Sequence, residues 1–169
     1  MNRDAEHKVN QTISPTVQIE IRELQDRDIE ALSRIESEAF SMPWSASDFR
    51  DLLTRDYCMY LVAVAEGEIA GCCGMTVLCG EGNIDNVVVA ERFRNHGVAS
   101  AMLKELLARG ETAGIEAYTL EVRVSNSAAI HIYEKLGFVS EGIRPRFYER
   151  PVEDANIMWR RQHGKISAV

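Results

Sequence analysis

Long apolar runs are missing from this 169-residue chain. Its most hydrophobic stretches, YLVAVA and NVVVA, are strand-sized and far short of the ~20 residues that cross a bilayer. The opening residues, MNRDAEHKVNQTISPT, have no apolar core segment, so they are not read as an export signal. Cysteine is scarce: Cys58, Cys72, Cys73 and Cys79 show no CxxC spacing. The neighbours Cys72 and Cys73 point to opposite faces of a strand, which argues against a shared metal. Reduced structural thiols in a cytoplasmic protein are the expectation. Basic charge is also in deficit, with 19 Lys and Arg against 26 Asp and Glu. That balance disfavours a general nucleic-acid binder. Neither GxxxxGK[ST] nor GxGxxG occurs, which disfavours nucleotide-hydrolysing and dinucleotide enzymes. There is no internal repeat, low-complexity tract or linker between domains.

What is present is a composition that is 46% hydrophobic and 27% charged, suited to one globular domain. A single domain over residues 17–162 is expected, with a flexible tail at 1–16 and another tail at 163–169. VQIEIREL (17–24) alternates as a half-buried strand does. From Asp26 to Phe40 the spacing of Ile29, Leu32, Ile35 and Ala39 predicts an amphipathic helix. Pro43 interrupts it, and SASD (45–48) offers a capping box for a second helix to about Leu53. Met59–Ala65 and Ile69–Leu78 flank EGE as a hairpin. NIDNVVVA (83–90) is a further strand, with Gly80 and Gly82 marking the turn before it. Val98, Met102, Leu106 and Leu107 share a helical face, with Gly110 as the expected stop. IEAYTLEVRV (115–124) returns to strand spacing, so strand, helix and strand form a parallel crossover. NSAAIHIYEKLG (126–137) reads as another helix ended by Gly137, and FVSEGIRPRFY with DANIMWR as a closing hairpin. The fold class is mixed α/β.

RFRNHGVASAML (92–103) raises the functional question. A helix start presents unpaired N–H groups and the positive end of a dipole, and so attracts anions. Gly97 and Ala99 leave that backbone approachable, while Arg92, Arg94 and His96 add positive potential. The arrangement suits a pyrophosphate. Read alone, it equally suits a glycine-capped turn with solvated arginines.

RNHGVA (94–99), after the strand NVVV and before an apolar helix, resembles the R/Q-x-x-G-x-G/A acetyl-CoA signature of the GNAT superfamily of N-acetyltransferases. LEVRVSNSAAIHIYEKLGF (120–138), PWS (43–45) and EDANIM (153–158) are similar to its RimI-like ribosomal-protein N-alpha-acetyltransferases. The likeness runs from about residue 18 to 160. It implies a GNAT fold, with a twisted mixed sheet of about six to seven strands flanked by about four helices. It implies that Asn95, His96, Gly97, Val98, Ala99 and Ser100 receive the pyrophosphate of acetyl-CoA. Val87, Val88 and Val89 would run beside the pantetheine arm with strand-like hydrogen bonds, and Asn126 would touch the cofactor. Separately from the resemblance, N–H groups around Val88 and Val89 are expected to polarise the thioester carbonyl where the sheet parts to admit the cofactor. Ala99 replaces the commoner glycine, and Arg94 stands where glutamine is frequent.

The same resemblance gives Glu121 the role of general base and Tyr133 that of the acid that protonates departing coenzyme A. By spacing alone, Glu121 is a solvated strand residue and Tyr133 a core aromatic. With a phenol near pKa ~10 and a thiol near ~8.5, that proton transfer is uphill by about 2 kcal/mol. Phe40, Met42, Trp44 and Tyr148 are candidate walls for the acceptor, although Phe40 and Trp44 also suit helix-junction packing. The implied acceptor is the N-terminal alanine of ribosomal small-subunit protein 18 or a similar protein N-terminus. No metal, nucleic acid or membrane is expected to take part, and the protein is expected to act as a monomer. Lysine side chains, other N-termini and small amines are alternative acceptors. A regulatory module without chemistry and a cysteine enzyme are rivals of another class.

Overall fold

Alternating apolar residues produce the strands, and one strand carries the irregularity on which the site depends. The computed structural model describes residues 18–162; the expected tails at 1–16 and 163–169 lie outside the described residues. In chain order the strands are β1 (Ile19–Glu23), β2 (Cys58–Ala65), β3 (Glu68–Leu78), β4 (Glu81–Val89), β5 (Ala117–Arg123), β6 (Val139–Glu149) and β7 (Val152–Arg161). The α-helices are α1 (Ile29–Ala39), α2 (Ala46–Leu52), α3 (Val98–Thr112) and α4 (Ser127–Lys135). The strands form one sheet in the order β1-β2-β3-β4-β5-β7-β6. Among the described residues only the β4–β5 pairing is parallel, joined through α3 as the crossover expected from the sequence.

Each face of the sheet carries its own core. Met102, Leu103, Leu106 and Leu107 of α3 pack with Tyr133 of α4 onto Tyr118, Leu120 and Val122 of β5. On the other face, Ile29, Leu32 and Ile35 of α1 join Phe49 and Leu52 of α2 over Tyr60, Val62 and Cys72. Cys72 and Cys73 thus belong to opposite faces, as their adjacency requires. Burial pushes both thiols far above their ordinary pKa, which removes them as ready nucleophiles. Among the described residues no helix is long and apolar enough to cross a membrane.

The helix starts follow their capping residues. Ser45 and Asp48 form the reciprocal capping box of α2, and α1 is preceded by a short 3₁₀ turn at Asp26–Asp28. Gly137 adopts φ +89° just past α4, as a terminating glycine does.

Two glycines do not play the expected parts. α3 continues through Gly110 to Thr112, and the left-handed residue beyond it is Gly114. Gly110 is needed for closeness: a Cβ there would lie 2.5 Å from the Tyr118 hydroxyl and 3.0 Å from Met75 Cε. Gly82 lies inside β4, where a Cβ would meet Met75 Sδ at 2.8 Å; Gly80, with φ +81°, makes the turn. Bulky neighbours, rather than turn geometry, select both residues.

β4 carries a bulge. Met75 of β3 pairs with Ile84 and Gly74 with Asn86, so Asp85 is an extra residue. One inserted residue reverses the inside-outside phase of everything after it. Ile84 accordingly belongs to the α3 side, whereas Val88 packs on the α1 side.

Candidate active site

The bulge coincides with a parting of the sheet. β4 and β5 pair from Glu81–Ala117 to Ile84–Leu120 and no further. Beyond that rung, β4 keeps its bonds to β3, and β5 keeps its bonds to β7. The facing edges are left without strand partners, and a cleft of about 650 Å³ opens at the parting. Its walls come from the α1–α2 loop, the bulged part of β4, the end of β5, the start of α4, and the β6–β7 turn.

Glu121, Tyr133, Asn126, Val87, Phe40, Met42, Trp44 and Tyr148, all singled out from the sequence, line this cleft. Glu121 alternates against the buried Leu120 and Val122, so its side chain lies on the α1 face. Arg144 Nη1 approaches its Oε1 at 3.4 Å, and the Tyr148 hydroxyl donates to its main-chain oxygen at 3.2 Å. Tyr133 enters from the α4 face and is only 7% exposed, edge-on to Phe138 at 5.8 Å. Burial, reinforced by Cys73 and Tyr148, pushes its phenol well above the ordinary range. Base and acid candidates reach one opening from opposite sides of the sheet.

The acceptor-side walls are tied together. Trp44 packs on Phe49 and Tyr60, with ring centroids 5.7 and 5.9 Å away, while Phe40 and Met42 are exposed at the rim. Arg123 lies over the Tyr148 ring at 4.2 Å. It also donates to Glu153 and to the main-chain oxygens of Pro151 and Arg150, holding the β6–β7 turn. Ser41 Oγ donates to the Arg150 main-chain oxygen, strapping that turn to the α1–α2 loop.

The expected pyrophosphate segment lies outside this cleft, at the start of α3. Asn95 and Gly97 adopt left-handed φ of 63° and 79°. Gly97 is the N-cap without a side-chain capping bond, and the first helical bond runs from Ala101 N to Gly97 O. The N–H groups of Val98, Ala99 and Ser100 therefore lack helical partners. His96 Nδ1 donates to the Arg94 main-chain oxygen (2.8 Å), and Arg94 Nε to Val89 O (3.2 Å). Arg92 turns away, pairing with Glu68 at 2.7 Å, and so adds little to the potential at the helix mouth. Val88 is buried, and Val89 lies beyond the cleft lining. Asn126 is the N-cap of α4, its Oδ1 accepting from Ala129 N.

Three polar residues of the cleft escaped the sequence reading. Glu36 is 1% exposed and accepts from Asn86 Nδ2 (2.8 Å) and Trp44 N (3.3 Å). Asp85 sits beside Asn86 on the bulge, accepting from Tyr60 and from Thr76 Oγ1 (2.6 Å). A signal for Glu36 existed: it stands four residues after Leu32, within the apolar stripe of α1. Asp85 and Asn86 are poor strand formers inside a strand.

The sheet parting, the uncapped helix mouth and the paired acid and base candidates meet a clear likeness. Residues 29–138 match the Acetyltransferase (GNAT) family. This chain belongs to that family. It is 33% identical over 140 residues to [ribosomal protein bS18]-alanine N-acetyltransferase of Escherichia coli (strain K12), across 82% of this chain and 94% of the relative. It is 31% identical over 140 residues to the putative [ribosomal protein bS18]-alanine N-acetyltransferase of Bacillus subtilis (strain 168), across 82% and 93%. The crystal structure of the ribosomal-protein-S18-alanine N-acetyltransferase from Escherichia coli superposes with TM-score 0.81 at 29% identity. That match covers 90% of this chain and 99% of that one. The GNAT chain described here is an N-acetyltransferase.

Proposed function

We propose that this acetyltransferase transfers acetyl from acetyl-CoA to a protein N-terminal amine, with the N-terminal alanine of ribosomal small-subunit protein 18 as acceptor. The observation that carries this reading is the parted β4–β5 edge, with Glu121 and Tyr133 on its two faces. The names of the Escherichia coli and Bacillus subtilis relatives support the acceptor.

The residues present fit the donor substrate. The unpartnered N–H groups of Val98, Ala99 and Ser100, approached over Asn95, His96 and Gly97, suit its pyrophosphate. The free edge of β4 at Val87, Val88 and Val89 suits the amide-bearing pantetheine arm, and Asn126 Nδ2 is left for the donor once Oδ1 has capped α4. Acetyl-CoA supplies an activated thioester. Glu121 receives the proton that the acceptor ammonium must lose before nitrogen attacks carbon. As the carbon–sulfur bond breaks, Tyr133 gives its phenolic proton to sulfur; the second proton that nitrogen sheds on becoming an amide passes to solvent, from which the Tyr133 phenolate is reprotonated. Of the main-chain N–H groups around Val88 and Val89, that of Val88 points into the ladder to β3, in step with Ala90 N donating to Ala70 O. The Val89 N–H, on the free edge, is therefore the one that stabilises charge on the acetyl oxygen. Phe40, Met42, Trp44 and Tyr148 flank the incoming chain.

An α-amine, near pKa ~7.7–8.0, exposes its neutral form at a cost about 3.5 kcal/mol smaller than a lysine near ~10.4. A plain carboxylate base therefore favours N-termini. The test is acetylation of a peptide panel with the modified atom mapped by mass spectrometry. The panel holds the alanine-starting ribosomal peptide, lysine peptides with blocked N-termini, and polyamines. Modification of the α-amine of the ribosomal peptide is expected; modification confined to side-chain or small amines overturns the acceptor.

A further inference from the structure

The cleft holds hydrogen-bond acceptors that the base and the acid leave unused. In the bulge of β4, Asp85 and Asn86 lie side by side on the α1 face. Asp85 bonds to Tyr60, a member of the α1-side core, and Asn86 bonds to Glu36 of α1 itself. Both line the cleft together with Glu121. Their relation to Glu121 follows from register: Ile84 and Leu120 form the last paired rung, so Asp85 and Glu121 are the first residues past it on the two parting strands.

The bonding of Asp85 is unusual for a carboxylate. Its partners are two neutral hydroxyls, of Tyr60 and Thr76, and burial raises its pKa against the pull of both. The guanidinium groups nearby are engaged elsewhere: Arg123 holds Glu153 and the β6–β7 turn, and Arg144 faces Glu121. Asn86, the next residue, offers a further acceptor. It is 7% exposed, and its Oδ1 is buried with no hydrogen-bond partner. Its amide nitrogen is committed to Glu36, which fixes the carbonyl oxygen as the free end. A buried amide oxygen without a donor is an unmet demand.

A site that offers a carboxylate and an amide oxygen matches a group that carries only donors. A primary ammonium has three N–H bonds and no lone pair. We propose that Asp85 and the side-chain oxygen of Asn86 form an ammonium subsite, which receives the charged acceptor amine beside Glu121 before its proton is removed. A carboxylate that holds a cation also makes that cation a weaker acid. The subsite therefore acts on acceptor capture and not on the chemical step, so its loss raises acceptor KM and leaves kcat equal or higher. Asp85 and Asn86 bind the acceptor, and Glu121 removes its proton. The inference rests on the N-acetyltransferase activity, whichever amine, α or ε, is the acceptor.

The experiment is a titration of the full ¹⁵N-labelled chain, saturated with coenzyme A, in which the Asn86 side-chain amide and the Asp85 main-chain amide are followed. The probes are alaninamide, Nα-acetyl-lysine methylamide, and N-acetyl-alaninamide, which has no amine. Saturable shifts at both groups are expected with at least one amine probe and not with the acetylated one. Asp85→Asn is expected to weaken that binding at least fivefold and to raise acceptor KM about tenfold without lowering kcat. The subsite is overturned if all three probes act alike, if neither group shifts saturably, or if Asp85→Asn binds as the parent does. Should only the lysine probe bind, the subsite stands and the N-terminal reading falls. If Asp85→Asn does not fold, Thr76→Val, which removes one of the two hydroxyls that orient the carboxylate, takes its place. It is expected to weaken the same binding, and unchanged affinity there overturns the subsite.

Discussion

Glu36 of α1 and Asn86 of β4 meet across the helix–sheet gap through a 2.8 Å hydrogen bond, both residues being buried. Burial raises the Glu36 carboxyl above its ordinary value, against the bonds from Asn86 and Trp44 N. Between the two values the native state holds a proton that the unfolded chain releases, so this group's stabilisation is complete below the unfolded value. It is lost as pH climbs through the raised one. Glu36→Gln removes that titration. The stability of the parent relative to Glu36→Gln is expected to decline as pH rises from 4 towards 8. Urea melts at several pH values measure the difference, and a flat difference contradicts the sign.

Glu121 and Tyr133 stand at one opening without touching the uncapped end of α3. Glu121→Gln and Tyr133→Phe are each expected to lower kcat by about 10²-fold or more, the usual reach of a positioned acid or base. Acetyl-CoA affinity, measured by calorimetry, is expected to stay within about twofold. Unchanged turnover in both variants removes their roles.

Gly110 admits the Tyr118 ring, whose hydroxyl donates to the Leu107 main-chain oxygen at 3.2 Å. Ala suits a helix better than Gly elsewhere, but here the added methyl collides. Gly110→Ala is expected to destabilise the fold by about 1–3 kcal/mol, the cost of overpacking. Adding Tyr118→Phe is expected to recover part of the loss, since the nearest clash is with the hydroxyl. Thermal melts of the single and double variants test the coupling.

Gly97 has open space around it but a φ of +79°, so any penalty for a side chain there comes from the backbone. Gly97→Ala is expected to raise the KM for acetyl-CoA severalfold by pulling the helix mouth out of shape, while Gly97→Asn is expected to be milder, because Asn tolerates left-handed geometry. Equal KM values in all three proteins count against a role for this loop in donor binding.

Much of the fold was legible because it rests on short-range rules. Strand alternation, the Ser45–Asp48 capping box and the β4–α3–β5 crossover all stand where the sequence indicates. The uncapped mouth of α3 at Gly97 was legible for the same reason, since its free N–H groups follow from local chain geometry. Gly110 and Gly82 were misread because a turn-forming glycine and a space-making one look alike until the partner, Tyr118 or Met75, is in place. The polar floor of the cleft was missed for a related reason. Glu36 and Asn86 lie fifty positions apart, and a bulge is defined by the register of the neighbouring strand, here Gly74 and Met75. The depth of Tyr133 was not legible either, because its burial depends on helix-to-sheet packing that spacing does not contain.

The extra residue at Asp85 has a further implication for how this chain tolerates change. Shortening β4 by that one position would rotate Val88 out of its core and bring its neighbours into it, all at once. In a scan of single-residue deletions, the middle of β4 is therefore expected to be far less forgiving than the β3–β4 turn at Cys79 and Gly80. Side-chain phase along β4 thus depends on a counted length of chain, set by one residue in the middle of the strand.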